Sequence, residues 1–168
     1  MNAMREGVDR LLGWAICILM AGMVVNVLWQ VFTRFILRDP SSFTDEGARY
    51  MMIWVGLLGS AYATGHKSHL ALDLITARLQ GGRKRASEII IQSVVLLFAV
   101  GVMVAGGGRL VWIQLSLGQQ SAALQIKLGY VYLAVPLAGV FISFYTIIFL
   151  VEALRGETEV AQRSSGLN

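Results

Sequence analysis

The chain has 168 residues, 56% of them apolar and 14% charged, with a formal net charge of +4. Soluble domains carry roughly 25% charged residues, so this composition excludes an ordinary soluble fold. The basic excess is no nucleic-acid surface either, because lysines and arginines flank apolar stretches and build no large patch beyond Arg83-Lys84-Arg85.

A helix rises about 1.5 Å per residue and the hydrocarbon of a bilayer is roughly 30 Å thick, so about 20 apolar residues cross it. Leu11–Thr33 is free of charge for 23 residues. It is too long for a secretory h-region of about 7–15 residues, and no small-x-small cleavage pattern follows it. It is therefore expected to be a retained span. Asp39-Pro40-Ser41-Ser42 is a turn signal. Tyr50–Gly65 has only 16 uncharged residues. A start at Asp45 lengthens it by about 7 Å, with Thr44 as N-cap and two acids suiting the helix dipole. His69–Gly81 places Leu72, Ile75 and Leu79 on one row and Asp73, Thr76 and Gln80 elsewhere, which suits either a short interfacial helix or a plain loop. Ile89–Gly108 is uncharged for 20 residues, Gln114–Leu128 has the composition of a loop, and Leu128–Val151 is uncharged for 24, with Pro136 expected to bend it.

The expected fold class is thus an all-α integral membrane protein. Residues 1–168 form a single four-helix membrane domain with spans about 11–36, 45–66, 88–112 and 128–152, and a candidate short interfacial helix lies between spans two and three. Nine of the basic residues then fall on the side of the two termini and five on the other. By the positive-inside rule both termini are cytoplasmic. Trp14, Tyr62 and Tyr145 near one set of span ends, and Trp29, Tyr50, Trp112, Tyr130 and Tyr132 near the other, suit interfacial belts.

Asn26, Gln30 and Arg34 are spaced i, i+4, i+8 on one face of the first span. Amides facing lipid lack partners, so this face is expected to meet protein: the second span, another subunit or a transport pathway. Asp45 and Arg49 form an i, i+4 pair in the favourable order beside Glu46, either as an exposed capping arrangement or as a charge cluster that Arg34 joins. His66 and His69, one turn apart, cannot ligate one haem from opposite sides, and only Asp73 is near them, so no cofactor and no metal is expected. Cys17 is the single cysteine and forms no intrachain disulfide. Small-residue pairs at i, i+4 (Gly56/Ser60, Gly59/Ala63, Gly101/Ala105, Ala134/Ala138, Gly139/Ser143) permit close helix approach. No acid sits mid-span, and there is no P-loop, nucleophile elbow or zinc-ligand pattern. The residues point to a membrane subunit without an active site of its own, not to an enzyme.

The run Thr44-Asp45-Glu46-Gly47-Ala48-Arg49-Tyr50, then Trp54, Leu58-Gly59-Ser60-Ala61, and His69 with Asp73 four residues on, resembles the small membrane subunit (the Q-type small permease) of tripartite ATP-independent periplasmic (TRAP) transporters. Arg34 matches the arginine closing that family's first span, and Ser121-Ala122-Ala123-Leu124-Gln125-Ile126 before Tyr130-Val131-Tyr132 and Pro136 is similar to the entry to its fourth. Gly47 departs from the pattern, where an acid or larger residue is common. The resemblance implies a non-catalytic scaffold of a sodium-coupled secondary transporter in the bacterial inner membrane. Its implied partners are a large elevator-type membrane subunit, a periplasmic substrate-binding protein and membrane lipids, and its implied solutes are organic anions such as dicarboxylates or sialic acid. Asn26, Gln30, Arg34, Asp45, Glu46, Arg49 and Trp54 are the candidate subunit-interface or helix-orienting residues. The competing reading is a membrane-anchor subunit of a respiratory oxidoreductase, which the histidine placement disfavours.

The basic asymmetry yields a direct test. With Cys17 removed, an impermeant thiol reagent on intact cells should label a cysteine at Ser42 and not one at Ser87. The opposite pattern inverts the topology.

Overall fold

The computed structural model describes residues 2–38, 42–66 and 82–155. The expected interfacial helix within 69–81, with His69 and Asp73, lies outside the described residues. Helix α1 (Asn2–Phe32) runs into a wider π-helical segment, π1 (Thr33–Leu37). Helix α2 (Ser42–Gly65) returns beside it. A third long helix is built from α3 (Gly82–Phe98), a π-helical stretch π2 (Ala99–Gly106) and α4 (Gly107–Ser116). A loop over residues 117–127 leads to the short α5 (Leu128–Tyr132) and to α6 (Ala134–Arg155).

Three of these helical stretches are long and apolar enough to cross a membrane: Arg5–Leu37, Ala86–Ser116 and Leu128–Leu154. The fourth expected span is not among them. Helix α2 forms, but Asp45, Glu46 and Arg49 occupy its first two turns and leave Tyr50–Gly65 as the only uncharged part. The helices also extend beyond the expected spans: α1 begins nine residues before Leu11, and the third helix runs from Gly82 to Ser116.

α1 and α2 pack antiparallel in a steady register. Gly47 lies against Asn26, Gly22 against Met51 and Gly13 against Tyr62. α6 is central. It packs on α2, α3 and π2, and 44% of its most apolar stretch is buried, against 6% for α1 and for the third helix. The core is built by Leu12, Leu58, Ala61, Ala99, Met103, Ala138, Ile142, Tyr145 and Phe149.

The π2 stretch was not legible in the sequence, and its effect is geometric. The third helix buries Ala99, Met103, Gly107 and Val111, each four residues after the last. In a regular α-helix every such step drifts by about 40° around the axis. A π-turn bonds i to i+5 and so takes more residues per turn, which cancels much of this drift. The buried row thereby stays against α6. There the backbones come close: a Cβ on Gly139 would stand 2.7 Å from Met103 Cβ and 3.2 Å from the Ala99 carbonyl oxygen. A Cβ on Gly107 would stand 2.9 Å from Val135 Cγ1 and 3.2 Å from Pro136 Cδ. The helix is interrupted at Leu133, just before Pro136, whose ring cannot sit against the carbonyl four residues back.

The small-residue pairs therefore divide. Ala134, Ala138, Gly139 and Ser143 are buried inside the chain, whereas Cβ atoms at Gly56, Gly59 and Gly101 would meet nothing within 4 Å. Several hydroxyls on the helices are satisfied locally: Ser143 donates to the Gly139 carbonyl at 2.7 Å, Ser60 to Leu57 at 2.8 Å and Ser93 to Ile89 at 2.7 Å, whereas the buried Thr146 Oγ1 on α6 has no hydrogen-bond partner among the described residues. Gly139→Val should lower the unfolding midpoint of the purified chain in detergent markedly, by the overpacking cost of about 1–3 kcal/mol or more, while Gly56→Ala leaves it nearly unchanged. A thermal denaturation series checks this order.

Candidate functional site

Two polar clusters stand at opposite ends of the helices. At the loop end, Asn26 Nδ2 donates to the Thr44 carbonyl at 2.7 Å and Gln30 Nε2 reaches Asp45 Oδ1 at 3.4 Å. Both amides of the row on α1 thus point at the head of α2, where an amide would otherwise lack partners in lipid. Thr44 is buried beneath them. Gly47 leaves the space that brings Asn26 near: its Cβ would lie 3.7 Å from Asn26 Oδ1, and a longer side chain would crowd the amide. Asp45 also pairs with Arg49 at 3.0 Å, both side chains well exposed, so the pair contributes under about 1 kcal/mol.

Arg34 does not join this cluster. It lies exposed on π1 and makes no ion pair with Asp45 or Glu46. The widened turn that begins at Thr33 takes Arg34 off the α-helical i, i+4 row of Asn26 and Gln30, and both acids are engaged elsewhere. Trp54 is half-buried and packs against the core cluster, so its ring helps seat α2 within the chain.

Glu46 makes the most extensive contact of the site. Its carboxylate accepts hydrogen bonds from the Ser121 hydroxyl and from the backbone N–H of Ala122 (3.2 Å), Ala123 (2.9 Å) and Leu124 (3.0 Å). Three successive N–H groups form a concave anion-binding surface, and bonds to a charged acceptor are roughly twice as strong as neutral ones. The loop that carries them is itself closed. Ser121 N–H donates to the Ile126 carbonyl and Leu128 N–H to the Gln119 carbonyl, both at 2.9 Å, and Gly118 and Gln125 take positive φ values of 62° and 54°. Ser121 is buried under the carboxylate.

At the terminal end, the Arg5 guanidinium donates to the Gly65 carbonyl and stands 5.1 Å from the centre of the Phe149 ring. The Tyr145 hydroxyl donates to Asp9. A Cβ on Gly65 would lie 2.7 Å from Tyr145 Cζ, so the close meeting of α1, α2 and α6 depends on that glycine. An arginine on the last carbonyl of α2 also suits the negative end of its dipole. Arg5, Asp9, Tyr145 and Ser121 were not foreseen as site residues. The signals for them were indirect: isolated charges near the start of α1, an interfacial aromatic at Tyr145 and the run that begins at Ser121. His66, exposed, packs its ring 4.3 Å from that of Tyr62, and among the described residues no three metal-ligating side chains gather.

Residues 23–156 match the family model of the tripartite ATP-independent periplasmic transporters, DctQ component. The chain belongs to this family. It is 27% identical over 126 residues to the sialic acid TRAP transporter small permease protein SiaQ of Vibrio cholerae, covering 75% of this chain and 71% of that one. It is 24% identical over 149 residues to a putative TRAP transporter small permease protein of Haemophilus influenzae, covering 86% and 91%. It is 33% identical over 79 residues to the ectoine TRAP transporter small permease protein TeaB of Halomonas elongata, covering 45% and 41%. The DctQ-family chain is therefore a small permease component of a transporter, and with its apolar helices a multi-pass inner-membrane protein. The respiratory-anchor reading finds no support in these matches. The DctQ-family resemblance drawn from Thr44–Tyr50 and the residues after it is correct.

The two acids at the head of α2 should separate sharply. Glu46→Gln removes a charged acceptor of several hydrogen bonds and should cost about 1.5–3 kcal/mol. Asp45→Asn, which weakens an exposed pair, should cost under about 1 kcal/mol. Thermal unfolding of the purified variants in detergent checks the ranking, and equal losses would deny Glu46 its anchoring role.

Proposed function

We propose that the chain is the non-catalytic scaffold subunit of a sodium-coupled secondary transporter for organic anions. In this reading a large membrane subunit binds solute and sodium and moves as an elevator, and a periplasmic substrate-binding protein delivers the solute. The whole chain, residues 1–168, acts as one membrane domain in which α2 completes a set of four spans. Both termini are cytoplasmic, and the end bearing Glu46 and the 117–127 loop faces the periplasm.

The observation that carries the reading is the polar fastening at both ends. Glu46, Asn26 and Gln30 tie α1, α2 and the 117–127 loop together at one end. Arg5 and Asp9 tie α1 to α2 and α6 at the other. A subunit fastened in this way suits a fixed support better than a moving carrier. Most of the apolar surface of α1 and of the third helix remains uncovered within the chain, which leaves area for a larger membrane partner and for lipid. Asn26, Gln30, Asp45, Glu46 and Trp54 are assigned to orienting α2, and Arg34 and Arg49, which point outward, to the partner. Relatives named for sialic acid and for ectoine are both similar to this chain, which suits a subunit that does not select the solute.

Liposomes holding this chain alone should show no sodium-driven uptake. Uptake should appear when the large subunit and the binding protein are supplied, and robust uptake by the chain alone would overturn the scaffold assignment. In the assembled system Arg34→Ala should reduce co-purification of the large subunit more than Arg38→Ala does.

A further inference from the structure

An open groove of about 340 Å³ runs along α1 beside Tyr62 in the last turn of α2, lined by Asp9, Arg10, Gly13, Trp14, Cys17 and Tyr62. Of its lining, the scaffold reading uses Asp9 alone. We propose that it holds one membrane glycerophospholipid, with the phosphate on Arg10 and an acyl chain laid along Gly13, Trp14 and Cys17 against Tyr62.

Three observations select this occupant. The first is the order of the lining. Along α1 the charged residues Asp9 and Arg10 come first, then the gap at Gly13, then Trp14 and Cys17, over about 12 Å of helix. This is the order of headgroup, interface and hydrocarbon in one leaflet, and Trp and Tyr belong at its middle level. The second is charge. Asp9 is engaged by the Tyr145 hydroxyl, whereas Arg10 is exposed and makes no ion pair with any described residue. A guanidinium so placed matches a phosphodiester in geometry and sign. The third is location. The groove opens on the flank of Arg5–Leu37, a stretch long and apolar enough to cross a membrane, so a bilayer around it would bring lipid to the apolar end of the groove. Gly13 makes the gap: a Cβ there would sit at an ordinary 3.7 Å from Tyr62 Cε2, so a larger side chain fills the groove without disturbing the backbone.

Cys17, the only thiol of the chain, lines the groove and reports on its occupancy. The full-length chain in mild detergent is treated with a small maleimide, in detergent alone and in mixed micelles with phosphatidylglycerol or phosphatidylethanolamine. Either phospholipid, at about ten times its concentration for half-protection, should slow labelling about tenfold. Inorganic phosphate should have no effect. Gly13→Leu should abolish the lipid dependence. Arg10→Gln should raise the lipid concentration for half-protection about tenfold, while Arg109→Gln leaves it unchanged. Circular dichroism confirms that each variant is folded, and if Gly13→Leu is not, the Arg10→Gln titration decides alone. Labelling that ignores both phospholipids, protection by inorganic phosphate, or an Arg10→Gln titration equal to that of the unsubstituted chain overturns the proposal.

Discussion

A polar group in hydrocarbon has no water to fall back on, and the rest of this structure follows from where the chain finds partners instead. The answer is the two ends. Asn26 and Gln30 turn to the head of α2, Glu46 turns to the N–H groups of Ala122, Ala123 and Leu124, and Arg5 and Asp9 turn to Gly65 and Tyr145. Between these ends, hydroxyls such as that of Ser143 are satisfied by carbonyls of their own helix, and packing rests on close backbone approach. The directional bonds fix which helices meet and in what register. The apolar middle follows, with little to distinguish one register from another beyond Gly139 and Gly107.

The helices share this burden unequally. α6 is enclosed by its neighbours, and α1 and the third helix offer their flanks outward. Trp14, Ile18, Val25, Leu28 and Phe35 on the first helical stretch, and Leu97 and Trp112 on the third helix, are strongly exposed. The open row on α2 is of another kind, with Met52, Gly56, Ser60 and Ala63 outermost. A surface so divided between bulky and small side chains offers smooth contact to lipid in some directions and a close seat for another helix in a different one.

Much of this was legible in the sequence, and the limits have physical causes. Charge-free length gave the helices, because the bilayer thickness imposes it. The Asn26–Gln30 row was legible as a face that must meet protein, since helical spacing and the cost of an unpaired amide suffice. Arg34 stands apart from Asp45 and Glu46, because i, i+4 spacing holds only while the helix stays α, and π1 begins at Thr33. Glu46 was noticed for its helix-dipole position. Its true partners are backbone N–H groups more than 70 residues away, and no side-chain pattern announces a backbone partner. Tyr145 was legible as an interfacial aromatic, but its pairing with Asp9 depends on the fold that brings α6 to α1. The shortness of α2 was visible at once, and the same three charged residues that shorten it carry or flank the contacts of the loop end.

The separation of these contacts along the chain bears on how the protein is made. The α1–α2 hairpin closes over 15 to 18 residues through Gln30–Asp45 and Asn26–Thr44, so it is complete soon after its own residues leave the ribosome. Glu46 must wait for residues 121 to 124, and Asp9 for Tyr145, a separation of 136 residues. When only the α1–α2 hairpin has been made, the carboxylates of Glu46 and Asp9 therefore lack these partners, and α6 supplies one of them through Tyr145. α6 thus closes the set of end contacts that the first hairpin leaves open.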